Sequence, residues 1–79
     1  MRYRITYAPP VDSALSKMRR RGEFETAMER TLARDPYGHG SIAVGGDRDR
    51  REAAVASAIV RYVVSGAVLT VTVVRLISL

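Results

Sequence analysis

Apolar and polar residues alternate at the start of the chain. Tyr3, Ile5 and Tyr7 fall on one face of residues 2–7, and Arg2, Arg4 and Thr6 on the other. A period of two predicts a strand with one face buried. Pro9-Pro10 stops it, because proline has no N–H to give to a ladder, and the pair suits the first turn of a helix. The period then changes: Val11, Ala14, Leu15 and Met18 recur at i, i+3, i+4 and i+7, one helical stripe. Arg19, Arg20 and Arg21 are expected at its C-terminal end, where cations complement the helix dipole, with Gly22 as the cap. A second stripe follows in Phe24, Ala27, Met28, Thr31 and Leu32, with Glu23 and Glu25 in its first turn and Arg30 and Arg34 near its end. Asp35-Pro36 is expected to end it, because the residue before a proline avoids the helical region. The pattern is that of two antiparallel amphipathic helices joined by a tight turn.

The remainder reads as loop and strand. Tyr37-Gly38-His39-Gly40 is a loop, residues 41–44 a short strand, and residues 45–51 (GGDRDRR) a solvated loop. Residues 54–64 and 67–79 are two β-branched runs around Ser65-Gly66, a hairpin signal. With those two residues as the turn, Val64 faces Ala67. One face then carries Val55, Ser57, Arg61, Thr70 and Thr72, and is the wetter, working surface. The other carries Ala54, Ala58, Val60, Tyr62, Val71 and Val73, small enough in places for helices to approach. Arg75 falls on this apolar face, where a pairing with Asp12 or Glu25 is expected. The expected architecture is one α+β domain over residues 1–79 in the order β-α-α-β-β-β. A helical hairpin packs on a mainly antiparallel sheet of about four strands, and the first strand lies beside the last.

Size and composition narrow the function more than the fold. The chain has 79 residues, no cysteine and a single histidine, His39, so its stability rests on an apolar core drawn from 47% hydrophobic residues. No spacing suggests a metal site, and no motif suggests a cofactor. The absence of cysteine fits a reducing cytoplasm. No secretory signal is seen. The run from residue 53 onward is interrupted by Arg61 and Arg75, whereas a spanning helix needs about 20 apolar residues, so no membrane association is expected. The formal charge is +5, and 12 of the 13 basic residues are arginine. That balance favours a polyanionic partner such as RNA, DNA or an acidic protein segment, although a compositional bias toward arginine produces the same excess.

The opening RYRITYAP, the end of the helical hairpin at Leu32-Ala33-Arg34-Asp35-Pro36, the charged segment after it and the terminal IVRYVVSGAVLTVTVVRL together carry a family likeness. On these features the chain resembles the RelE/ParE toxin superfamily over nearly its whole length. The resemblance implies a cytoplasmic toxin of a type II toxin–antitoxin system, held inactive by a cognate antitoxin that is often acidic and partly disordered. It implies either a ribosome-dependent endoribonuclease acting on mRNA or a non-enzymatic inhibitor of DNA gyrase. A catalytically degenerate member that only binds a protein partner, and a homodimer, are both left open. The family's strand arginine aligns with Ile59 when Tyr62 is matched to the family's strand tyrosine, and Arg61 lies two residues on, on the same face. A shifted alignment makes Arg61 itself that arginine. Family nucleases often add a C-terminal tyrosine or histidine, and none follows Arg75 here.

Metal-free RNA cleavage needs a base for the 2′-hydroxyl, an acid for the leaving oxygen, and cations for the phosphorane charge. Arg61 is the first candidate for the last role, because a guanidinium fork matches phosphate oxygens. Arg48, Arg50 and Arg51 are candidates to hold a nucleic-acid backbone, although Asp47, Asp49 and Glu52 dilute their charge. Arg2 and Arg4 share the outer face of the first strand, where they either bind phosphate or guard the strand against aggregation. His39, the only histidine, is a candidate base on a loop. Tyr62 is expected in the core with its hydroxyl at an edge.

Overall fold

The computed structural model describes residues 2–78, so Leu79, which the sequence places in the last strand, lies outside the described residues. The elements are β1 (Arg4–Tyr7), α1 (Pro9–Ser16), α2 (Arg21–Arg30), β2 (Ile42–Val44), β3 (Asp47–Val55), β4 (Ala58–Ser65) and β5 (Thr70–Ser78). The five strands are ordered β1-β5-β4-β3-β2, one more than the sequence suggested. As expected, β1 lies beside the last strand. It runs parallel to β5, while every other neighbouring pair is antiparallel.

One face of the sheet is covered by the helices. Val11 and Leu15 of α1, Phe24 and Met28 of α2, and Leu32 just beyond it bury against Ala53, Val55, Ala58, Val60, Tyr62, Val64, Val71 and Val73. Tyr3, Ile5 and Tyr7 close this core at the β1 side, as their alternation predicted. Burying a side chain of this size stabilises by about 1.5–3 kcal/mol, which lets a short chain fold on packing. Tyr62 is wholly buried, and its hydroxyl donates to the Pro36 carbonyl at 2.5 Å. The phenol thus sits inside the core and not at an edge, bonded to the segment that leaves the helical hairpin. Burial pushes its pKa above the ordinary tyrosine value.

Several boundaries differ from the sequence pattern. α1 ends at Ser16 with Lys17 as its C-cap, and Gly22 lies inside α2. The arginine run therefore belongs to the turn and to the start of α2, where the Arg21 Nε donates to Glu25 at 2.6 Å, one turn on. α2 closes at Arg30, before Asp35-Pro36, and the Thr31 hydroxyl donates to the Ala27 carbonyl at that end.

Residues 45–51 are not a loop. Gly45 and Gly46 both have positive φ, 64° and 75°, the conformation a two-residue hairpin turn requires, and β3 starts immediately after them. Its charged residues are compatible with a strand because alternate ones face water. A further tight turn at Ala56-Ser57, with Ala56 at φ 53°, divides the run that reads as one strand. The inner face therefore takes Ala53 and Val55 from β3, and Ala54 and Ala56 are exposed. The last hairpin turns over residues 66–69, so Val64 pairs with Val71 and not with Ala67. This shift is even, which keeps Val60, Tyr62, Val64, Val71 and Val73 on the face the sequence assigned them. A bulge at Val74 then moves the end of β5 by one residue: Tyr62 pairs with Val73 but Arg61 with Arg75.

Two consequences are measurable. Tyr62→Phe keeps the shape of the core and strands the Pro36 carbonyl, so denaturant unfolding should show a loss of about 1–2 kcal/mol; an unchanged midpoint would contradict the role given to this bond. Deleting Val74 should be tolerated, because it regularises the ladder while leaving Arg75 outward and Leu76 inward. Thermal unfolding should remain cooperative, with a change of about 1 kcal/mol or less, and loss of the folding transition would show that the bulge has another purpose.

Candidate nucleic-acid interface

Among the described residues, no helix covers the outer face of the sheet, and the residues of that face follow from the register. Ala54 of β3, Ile59 of β4 and Ile77 of β5 form one row across the strands. The next row is Ile42, Glu52, Arg61 and Arg75. Beyond it lie Arg50, Val63, Thr72 and Thr6, and then Ser65, Thr70 and Arg4. The face is apolar toward the Ala56-Ser57 turn and cationic in the middle. Among the described residues, four arginines share it with one carboxylate.

Arg61 and Arg75 are direct cross-strand partners. Like charges in this position destabilise a sheet, so the pair adds nothing to the stability of the ladder. Glu52 stands on the other side of Arg61: the Nη2 and Nε of Arg61 donate to the same Glu52 oxygen at 2.9 and 3.2 Å. The two side chains are 38% and 31% exposed, so the pair contributes no more than about 1 kcal/mol. Arg4, Arg50 and Arg75 make no ion pair among the described residues. The Thr6 hydroxyl donates to that of Thr72 at 3.2 Å and adds polar groups beside the arginines.

The structure separates the other candidates. Arg2 reaches the helical layer and binds Glu29 at 3.0 Å, so it does not share the outer face with Arg4. Arg48 and Arg51 lie over the Tyr37 ring, 5.4 and 5.6 Å from its centre. The Arg51 guanidinium also donates to the Ser41 hydroxyl and carbonyl and to the Arg48 carbonyl. The Tyr37 hydroxyl donates to Asp49 at 2.7 Å; this bond raises the phenol's pKa and lowers that of the carboxyl. These contacts fasten the β2–β3 hairpin to the loop after α2. Of the three segment arginines, only Arg50 is placed on the outer face by the register. His39 is exposed in the turn before β2, at φ 55°, and is not among the residues of the outer rows. Arg75 is not on the apolar face with Asp12 or Glu25, because the Val74 bulge turns it outward beside Arg61.

Glu52 and Arg75 are the residues that the sequence pattern hid. The Gly45-Gly46 turn was the available signal for Glu52: taken as a hairpin, it puts Arg50, Glu52 and Ala54 on one face. Arg75 had no comparable signal, since a bulge is invisible in strict alternation. Among the described residues, no group of three or more His, Asp or Glu could hold a metal ion, and no helix is long and apolar enough to cross a membrane.

No family model matches the sequence, and no curated protein matches it. Solved structures similar to this chain include two complexes. One is the crystal structure of the toxin–antitoxin complex RelBE2 from Mycobacterium tuberculosis, with a TM-score of 0.80 and 15% identity over 100% of both chains. The other is the archaeal RelE–RelB complex from Pyrococcus horikoshii, with a TM-score of 0.73 and 20% identity over 99% of this chain and 96% of that one. At these identities the likeness is one of architecture. The strand, helical hairpin and five-stranded mixed sheet of this chain form a RelE-like fold, as its resemblance to the RelE/ParE superfamily led us to expect.

Proposed function

We propose that the chain is the toxin of a type II toxin–antitoxin pair, acting in the cytoplasm on ribosome-bound mRNA through the outer face of its sheet. The RelE-like fold supports the first part, since the two structures named above are toxin–antitoxin complexes. The observation that carries the second is the facing pair Arg61 and Arg75, two guanidiniums on an uncovered surface that the one carboxylate beside Arg61 does not neutralise. Such a pair suits a phosphodiester. One fork holds a phosphate by two parallel hydrogen bonds, and the other supplies positive charge as the phosphorane gains its negative charge. Arg50 and Arg4, in the rows beyond, would follow the backbone. An acidic antitoxin segment is the matching inhibitor of so basic a chain.

In the nuclease reading, the 2′-oxygen attacks phosphorus and the 5′-oxygen leaves. The outer rows contain no imidazole or phenol to protonate that oxygen, and their one carboxylate, Glu52, is engaged with Arg61. This favours a second reading, in which the same cationic face inhibits a target such as DNA gyrase by contact alone.

Controlled expression in a bacterial host, with pulse-labelling of protein, RNA and DNA, separates the two. An early fall in protein synthesis, with mRNA fragments ending in 5′-hydroxyls, is expected. Arg61→Ala and Arg75→Ala should each lower cleavage by roughly 10²–10³-fold, the usual cost of losing one preorganised charge at the reacting phosphate. Growth arrest with intact mRNA and an early fall in DNA synthesis would replace cleavage with contact inhibition.

A further inference from the structure

The two facing arginines are equivalent by register but not by state. Arg61 gives two of its donors to one oxygen of Glu52, whereas Arg75 makes neither an ion pair nor a side-chain hydrogen bond among the described residues. Glu52 is flanked on its other side by Ile42, which is 61% exposed and carries no charge. The carboxylate is thus committed to Arg61 alone.

We propose that Glu52 is a latch on the RNA-binding face: it occupies the Arg61 fork in the free protein and must be displaced before Arg61 can grip a phosphate. This rests on the reading of the outer face as the RNA-binding surface. Arg75 is the open cation that an approaching backbone meets first. Arg61 is recruited second, when a phosphate oxygen takes the place of the Glu52 carboxylate. The exchange is feasible because Glu52 is 31% exposed, so its carboxylate can turn into water without a buried charge being left behind. A half-exposed, hydrogen-bonded pair is strong enough to be felt in affinity and weak enough to open. The latch makes grip depend on an anion dense enough to repay the loss of the internal pair. A polyphosphate backbone meets that condition and an isolated carboxylate does not. It is also a specificity device, because it lowers the attraction of the free protein for arbitrary anions.

The test is binding of a short single-stranded RNA, followed by fluorescence anisotropy at several salt concentrations. The proteins compared are the wild type, Glu52→Gln, Arg61→Ala, Arg75→Ala and the double variant Glu52→Gln/Arg61→Ala. Glu23→Gln, an exposed change on α2, controls for net charge, and circular dichroism confirms that each protein is folded. Glu52→Gln should bind about twofold to fivefold tighter than wild type, the worth of one partly exposed ion pair. It should also show a steeper salt dependence, since one more cation is free to release counterions. The gain should exceed that of Glu23→Gln and vanish in the Arg61→Ala background. If Glu52→Gln binds no tighter than the charge control, or if its gain survives Arg61→Ala, the latch is refuted while the RNA-binding face stands. If neither Arg61→Ala nor Arg75→Ala weakens binding, the face itself is wrong and the latch falls with it.

Discussion

The hydrogen bond from the buried Tyr62 hydroxyl to the Pro36 carbonyl is the constraint on which the rest of the molecule depends. β4 is the middle strand of the sheet, and Tyr62 is the largest side chain on its inner face. The phenol must find a partner when it is buried, and the segment leaving the helical hairpin supplies one. This single contact therefore ties the helices to the centre of the sheet and fixes the parity of β4. With Tyr62 inward, Arg61 must point outward. A slip of one residue would put a guanidinium into the core and a phenol into water, so the arrangement is strongly determined. The cationic surface is thus a by-product of core packing, and its geometry inherits the rigidity of the core.

Charge pairing in the helical layer sharpens this division. Of the eight acidic residues, Glu23, Glu25 and Glu29 are paired with Arg20, Arg21 and Arg2 on the helical side, and Asp49 with Arg48 at the β2–β3 hairpin. These exposed pairs contribute little stability. Their effect is on where the charge is left: acids are spent away from the outer face, which keeps Glu52 against Arg4, Arg50, Arg61 and Arg75. An excess of +5 spread evenly would be a solubility feature, whereas four arginines facing only Glu52 on one uncovered sheet face make a field that a polyanion can follow.

The sequence was legible where one period ran uninterrupted. The alternation Tyr3, Ile5, Tyr7 and the inward set Val60, Tyr62, Val64 were readable because each places a complete apolar row on one side. The stripes Val11, Leu15 and Phe24, Met28 were readable for the same reason at the helical period. What misled was chain reversal. Ala56-Ser57 carries no strong turn residue, and Ala56 adopts a left-handed backbone that glycine or asparagine would have advertised. Residues 47–51 are so charged that strand propensity argues against them, yet pairing with β2 and β4 overrides propensity there. Arg61 was found from the sequence and its cross-strand partners Glu52 and Arg75 were not, because contacts across strands depend on turn lengths and bulges that side-chain chemistry does not reveal.

The Val74 bulge shows how the remaining gap is closed by energetics. Strict alternation from Val73 would set Arg75 opposite Val60, in the wall against which the helices pack, and Leu76 in water. An arginine there would leave its charge without solvent and without a counterion, at a cost of several kcal/mol. One unpaired residue costs far less, since it gives up local ladder bonds at the end of a hairpin where water can replace them. The bulge is therefore the cheaper solution. It returns Leu76 to the core margin opposite Val60, exposes Val74, and delivers Arg75 to the outer face beside Arg61. The same avoidance of a buried charge that makes the sequence pattern fail at this point is what assembles the arginine pair.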